Sequence, residues 1–263
     1  MYRVLDPKTG RPAHAVERDG RFFRIDTPFE DWLEQLADGG ELDHGAEIGE
    51  REAVGVLAPV SPSKVVCVGL NYRQHAEEMD KAIPEEPLLF MKPPTAVIGP
   101  GAPIVLPPQS GEVHHEGELA VVIGARAKDL GVAESSSVVL GYMCANDVTA
   151  RDIQRREKRY TRGKGFDTFC PLGPAIATAD AFRPAEHRLE CRVDADLRQS
   201  STLDDFIFSI PEVISSISHV MTLCAGDVIL TGTPAGVGPL GSGQTVSVEI
   251  DGIGRLENPV VSA

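Results

Sequence analysis

Residues 114–124, HHEGELAVVIG, open with charge and then run apolar without a break. Alternate residues of a strand share a face. Glu116 and Glu118 are therefore expected to point into one space, while Leu119 and the Val/Ile positions build a core. Runs of the same kind recur on either side: KVVCVGL (64–70), TAVIGPGAPIVLP (95–107), VVLGYMCAND (138–147), LECRVDADL (189–197), DVILTGTP (227–234) and TVSVEIDGIG (245–254). Glycine and proline, 26 and 20 residues, punctuate them. Helix-like stretches are few: NYRQHAEEM (71–79), TARDIQRREKRY (149–160) and SIPEVISSISHVM (209–221). Many irregularly spaced strands and few helices predict a mainly β, α+β chain with a curled or closed sheet, and no βαβ repeat.

The first 57 residues differ from the rest. They hold 7 Lys/Arg against 13 Asp/Glu, a net charge of −6. Short strand-like pieces, MYRVLD and GRFFRID, are broken by turn signals, and DTPFEDWLEQLADGG (26–40) reads as a short helix carrying the only tryptophan, Trp32. LAPVSPSK (57–64) reads as a linker. The expected organisation is a small N-terminal module over 1–60 and a catalytic domain over 61–263.

The whole chain, 263 residues, carries 25 Lys+Arg and 39 Asp+Glu, a formal charge of −14. That argues against nucleic acid as a partner, which would require a basic face. Five cysteines stand singly at 67, 144, 170, 191 and 224, the pattern of reduced packing residues. No signal-like apolar segment follows Met1 and no apolar run nears the ~20 residues of a membrane helix, so a cytoplasmic protein without a membrane partner is expected.

Four segments can carry chemistry. Glu116 and Glu118 repel each other unless a cation or protons compensate. Asp147 ends an apolar run, where a charge is expensive unless it is paired or ligated; Asp152 is the weaker ligand candidate. Two Glu and one Asp form a hard oxygen donor set suited to Mg²⁺ or Mn²⁺. His114 and His115 should face opposite sides of an extended chain. In GLNYRQHAEEM (69–79), Asn71 is a plausible N-cap, and His75 and Glu78 share a helix face in the manner of a water-activating pair. A mobile flap is expected there, over about 71–86. Residues 151–164 hold seven Arg/Lys and two acids, a local +5 that would draw a small anionic substrate. Arg151 and Gln154 are the best placed of these to point inward, and Lys164, between two glycines, can approach a ligand closely. In GDVILTGTPAGVGPLGSG (226–243), a strand ends in Thr-Gly-Thr-Pro before a glycine-rich turn, where exposed N–H groups and hydroxyls can hold an oxyanion.

Taken in order, VCVGLNYRQHAEEM, LFMKPPTAVIGPG, HHEGELAVVIG, GYMCANDVTARDIQ, KGFDTFCPLGP, LRQSSTLDDFIFSIPEVISSIS and GDVILTGTPAGVG closely resemble the fumarylacetoacetate hydrolase family over roughly 64–260. The branch most similar is that of the 2-hydroxyhepta-2,4-diene-1,7-dioate isomerases and the acylpyruvase/oxaloacetate decarboxylase enzymes. The resemblance implies the family's mixed β-sandwich roll, here behind a short N-terminal α+β module, and a homodimer. It implies Mg²⁺ or Mn²⁺ on Glu116, Glu118 and Asp147, a lid dyad of His75 and Glu78, and Lys164 against the oxo-carboxylate end of the substrate. Arg151, Gln154 and Thr233 would line the pocket. Leu70 stands where acylpyruvases carry Arg, a departure from that reading. The implied activity is metal-dependent carbon–carbon bond cleavage in a small 2-oxo or 2,4-dioxo acid. The alternatives are isomerisation of a dienedioate in aromatic catabolism and a non-catalytic metal-binding relative.

Overall fold

The computed structural model describes residues 1–80 and 82–263. The chain begins with an antiparallel sheet in the order β4-β3-β2-β1-β5, made of β1 (Tyr2–Asp6), β2 (Arg11–Arg18), β3 (Arg21–Ile25), β4 (His44–Glu50) and β5 (Val56–Leu57). The helical piece between β3 and β4 is centred on α1 (Trp32–Leu36) with 3₁₀ turns at both ends. Trp32 is fully buried and donates its indole N–H to the Thr27 carbonyl at 3.0 Å.

The larger part of the molecule is a mixed β roll. Seven strands run in the order β7-β6-β17-β11-β12-β14-β8: β6 (Val65–Gly69), β7 (Leu88–Lys92), β8 (Val97–Ile98), β11 (Gly117–Ile123), β12 (Val139–Asn146), β14 (Cys170–Thr178) and β17 (Val228–Leu230). A second sheet has the order β16-β15-β19-β20-β9: β9 (Ile104–Leu106), β15 (Arg188–Val193), β16 (Asp196–Thr202), β19 (Thr245–Ile250) and β20 (Gly254–Ser262). A small three-stranded sheet, β13-β10-β18, joins β10 (Val113–His115), β13 (Thr149–Ala150) and β18 (Gly238–Pro239).

The central strand β11 shows why the fold forms. Every residue of it is buried, so its two faces feed two cores. Leu119, Val121 and Ile123 join the core shared with β15, β19 and β20 through Leu189, Val248 and Leu256. Ala120 and Val122 face the other way, into a core that includes Trp32 and Leu42 of the N-terminal part. Gly117 is glycine for a packing reason: a Cβ there would stand 3.0 Å from Cys191 Cβ on the second sheet.

Four helices decorate the roll: α2 (Arg73–Glu78), α3 (Arg151–Glu157), α4 (Thr161–Lys164) and α5 (Ile210–Val220). Helix α5 starts with a capping box in which Ser209 and Glu212 satisfy each other's backbone N–H groups. Two local expectations are corrected. Asn71 does not cap α2: the N-cap is Tyr72, with no side-chain bond, and the Asn71 amide is spent on Phe208 and Thr231. The basic stretch 149–160 is helical only over α3: Thr149 and Ala150 form β13, and Lys158 turns left-handed at φ 51° before α4 begins at Thr161. Among the described residues, no helix is long and apolar enough to cross a membrane.

Candidate active site

Adjacent antiparallel strands make the floor of the site. β11 pairs with β12 so that Gly117 lies opposite Asn146. Just before that pair, the Asp147 N–H donates to the Glu116 carbonyl at 2.8 Å, and the Glu116 N–H donates to Asn146 Oδ1 at 3.0 Å. This clamp brings Asp147 beside Glu116, and the strand alternation adds Glu118. One carboxylate oxygen from each of the three lies within 4.8 Å of the others, and all three residues are buried.

Three cations answer these three acids. Lys164 Nζ donates to Glu116 Oε2 at 2.8 Å, to Thr149 Oγ1 at 2.9 Å and to Asp147 Oδ2. Arg151 pairs with the other oxygen of Glu116 and donates to Gln154 Oε1 at 2.6 Å. Lys92, which is 1% exposed, pairs with Asp147 Oδ1 and donates to the Val148 carbonyl at 3.1 Å. Among the described residues Glu118 has no cation of its own; it accepts the Gly232 N–H at 2.7 Å. Gly232 has φ +100°, and a Cβ there would meet Asn71 Cβ at 2.9 Å, so the approach requires glycine.

The electrostatics separate the acids. Burial would push Glu116 up, but Lys164 and Arg151 overcome it and hold its carboxyl well below the usual range. Burial, together with the charges of Asp147 and Glu116, pushes Glu118 well above it. Burial opposes the charge on Lys164, but Asp147 and Glu116 outweigh that and hold the ammonium firmly protonated.

The cluster fits a hard divalent cation. Its donors are all oxygens, one from each residue lies within 4.8 Å of the others, and the repulsion felt by Glu118 is of the kind a cation relieves. Asp152 does not join it. That carboxylate accepts from Ser110 Oγ at 2.6 Å and from the Gly111 N–H at 3.2 Å, on the outer side of α3.

Above the floor is a cavity of about 570 Å³. Besides the three acids and Lys164, its walls include Arg151, Gln154 and Thr233, and a further basic rim of Arg155 and Lys158. Apolar Leu70, Leu88 and Phe90 also line it, with the Phe90 ring centroid 5.0 Å from Lys164 Nζ; Leu70 holds a left-handed φ of 55°. His75 and Glu78 stand at its mouth, where the Glu78 side chain is 42% exposed. His75 Nδ1 lies 3.0 Å from Glu78 Oε2, and both Glu78 oxygens accept the Gly236 N–H at 3.2 and 3.3 Å. Helix α2 thus rests on the glycine-rich turn after Thr233. Of the flap expected over 71–86, Lys81 lies outside the described residues.

The two adjacent histidines diverge as their spacing requires. His114 lines the cavity and pairs with Glu112 at 2.8 Å. His115 is fully buried on the other side against Gln199, where burial lowers it to about 4. All nine residues singled out from the sequence for the site, including His75, Glu78 and Thr233, line this one cavity. Sequence reasoning missed Lys92. A lysine ending the apolar run LLFM before two prolines carries the same signal of a costly buried charge that singled out Asp147.

Known proteins resemble this chain over most of its length. Residues 64–261 match the family model described as fumarylacetoacetate (FAA) hydrolase C-terminal. A mitochondrial oxaloacetate tautomerase of Bos taurus, FAHD2B, is 46% identical over 222 residues, covering 80% of this chain and 71% of its own. The crystal structure of 2-hydroxyhepta-2,4-diene-1,7-dioate isomerase from Mycobacterium marinum is 40% identical with a TM-score of 0.85, covering 99% of this chain and 97% of its own. The maleylpyruvate hydrolase of Sphingobium sp. SYK-6, solved with manganese(II) and pyruvate, is 32% identical with a TM-score of 0.79 and covers 99% of each chain.

Proposed function

Because the chain belongs to the fumarylacetoacetate hydrolase family, the open question is its reaction, and we propose that it cleaves a carbon–carbon bond in a small 2-oxo or 2,4-dioxo carboxylate with Mg²⁺ or Mn²⁺ as cofactor. The observation that carries this reading is the buried Glu116–Glu118–Asp147 cluster sharing one cavity with Lys164 and with the His75–Glu78 pair. The relative solved with manganese(II) and pyruvate supports both the metal and the substrate class.

In this reading Glu116, Glu118 and Asp147 hold the ion. When bound, the ion would supply Lewis-acid charge beside the 2-oxo carbonyl, where negative charge develops as the carbon–carbon bond breaks. Lys164 and Arg151 supply fixed positive charge beside the carboxylate end of the substrate, and Gln154 holds Arg151 in line. The Glu78 carboxylate accepts the Nδ1 proton of His75, which leaves Nε2 to take a proton from water as that water attacks the distal carbonyl. Helix α2 lies over the mouth and limits the entry of bulk water. The protein would act as a homodimer in the cytoplasm.

A second reading, proton shift without cleavage, has two specific supports. Leu70 places an apolar side chain where acylpyruvases carry Arg, and two of the similar proteins are a tautomerase and an isomerase. A panel of 2-oxo acids assayed with Mn²⁺ separates the readings. Acetylpyruvate should give acetate and pyruvate, and oxaloacetate should release CO₂. Enol–keto interconversion with no hydrolysis and no CO₂ from any panel member would replace cleavage with the proton shift.

A further inference from the structure

One face of β7 changes character along its length. Alternate residues share a face, so Lys92, Phe90 and Leu88 form one row with steps of about 7 Å. Lys92 is 1% exposed and paired with Asp147. Phe90 comes next, with its ring centroid 5.0 Å from Lys164 Nζ and 4.8 Å from the ring of Tyr160. Leu88 ends the row at 42% exposure. Phe90 and Leu88 both line the cavity. The row therefore starts at a carboxylate of the candidate metal site and turns apolar as it runs outward.

The space does not stop at Leu88. Leu70 and Leu88 also line a second, open cleft together with Pro84, Glu85, Glu86 and Pro87. Strand pairing sets Gly69 opposite Leu88, and the fit is close: a Cβ on Gly69 would stand 3.2 Å from Leu88 Cδ2. Charge is divided unevenly between the two spaces. Among the described residues, every Arg and Lys lining the cavity belongs to the segment 151–164, whereas the charged residues of the second cleft are Glu85 and Glu86. A ligand chain that leaves the three carboxylates along β7 meets an aromatic ring, then two leucines, then two acids. Methylenes gain by burial on that path. A terminal carboxylate there would face like charge.

We propose that Leu70 and Leu88 determine specificity by receiving an apolar tail on C4 of a 2,4-dioxo acid, so that the preferred substrate is a monocarboxylate with an alkyl or aryl acyl group and not a dicarboxylate. The inference rests on the proposed cleavage of 2,4-dioxo acids. In that reaction water adds to C4 and the C3–C4 bond breaks. Its electron pair stays with C3, which takes up a proton, and the products are pyruvate and the carboxylic acid that carries the tail.

Steady-state hydrolysis by the full-length, Mn²⁺-loaded protein tests this with three substrates. Acetylpyruvate has the shortest tail, 2,4-dioxooctanoate adds three methylenes, and 2,4-dioxoheptanedioate has a tail of similar size that ends in a carboxylate. The octanoate should exceed both others in kcat/KM by about tenfold, within what three partly buried methylenes can supply. Leu88→Arg should reverse the order of the octanoate and the heptanedioate, and Leu88→Met should keep it; a merely structural role for Leu88 would lower all three substrates alike. If Leu88→Arg does not fold, the order in the unmutated protein decides alone. Three results would overturn the inference and leave cleavage of 2,4-dioxo acids standing: equal kcat/KM for acetylpyruvate and the octanoate, an unchanged order in a folded Leu88→Arg, or a preference of the unmutated protein for the heptanedioate, which would move the distal contact to Lys158. Hydrolysis of none of the three would overturn both.

Discussion

The floor and the mouth of the cavity are held in different ways. Glu116, Glu118 and Asp147 sit on or beside paired strands and are buried; Glu116 and Asp147 are tied to Lys92, Lys164 and Arg151 by ion pairs, and Glu118 to the Gly232 N–H. His75 and Glu78 ride a six-residue helix whose Glu78 side chain is 42% exposed, and the pair rests on the glycine-rich turn through one backbone N–H. The floor is over-determined, so losing one member leaves charges unpaired where water cannot help. The mouth is held by few bonds, as a segment that must open is required to be. The contrast suggests a division of labour. The floor performs the step that every reaction of this kind shares, and the mouth decides which product forms.

The sharpest way to break that division is at the floor. Glu118→Gln and Lys164→Ala should each abolish turnover of every accepted 2-oxo acid, a loss on the order of 10³-fold, whichever product is measured. The fold should persist in Glu118→Gln, which removes charge and little packing, whereas Lys164→Ala should also lower stability because it leaves Glu116 and Asp147 short of a buried partner. Next comes the mouth. His75→Ala should cut hydrolysis of a 2,4-dioxo acid by about 10²- to 10⁴-fold, the worth of a general base, and should spare oxaloacetate decarboxylation, which needs no attacking water. Equal losses in both reactions would mean that the pair positions substrate or closes the lid.

A smaller effect lies behind the floor. Lys92→Met should lower Mn²⁺ affinity by roughly 10- to 100-fold, as removal of outer-sphere support generally does, because Lys92 occupies Asp147 Oδ1 and steadies the carboxylate. Unchanged affinity would reduce Lys92 to charge balance. The smallest signal is at the mouth again. Amide exchange across 71–80 should slow on saturation with oxalate while exchange in β11 stays the same, which pits the opening segment against the rigid floor directly.

The parts of the molecule legible in the sequence are those set by local periodicity. The β character comes from alternation along the strands, Glu116 stands just before β11 and Glu118 on it, and Asp147 stands out because it follows a buried run. What the sequence hid depends on distant partners. Asn71 looks like a cap, yet its amide reaches Phe208 and Thr231 more than 130 positions away. The break at Lys158 has no glycine or proline to announce it; tertiary placement of Lys164 over the carboxylates overrides a good helical sequence. Gln199, on the edge strand β16, becomes a buried junction only through its contacts with His115 of β10 and the turn at Pro234.

The same charges produce one pH effect. Folding raises the Glu118 carboxyl above the usual glutamate range, so in metal-free protein the folded state holds a proton that the unfolded chain releases. Stability should therefore fall as pH rises above that range. Glu118→Gln should flatten the decline in a series of melting curves taken with chelator present.

The central claim is that three carboxylates, standing together because two strands pair, form one divalent-cation site. A titration of the protein with Mn²⁺, monitored by the loss of the free-ion electron paramagnetic resonance signal, tests it most directly. One ion bound per chain, with that binding lost in Glu118→Gln while the circular dichroism spectrum is retained, is the predicted result. Binding of equal strength and stoichiometry in Glu118→Gln would contradict it.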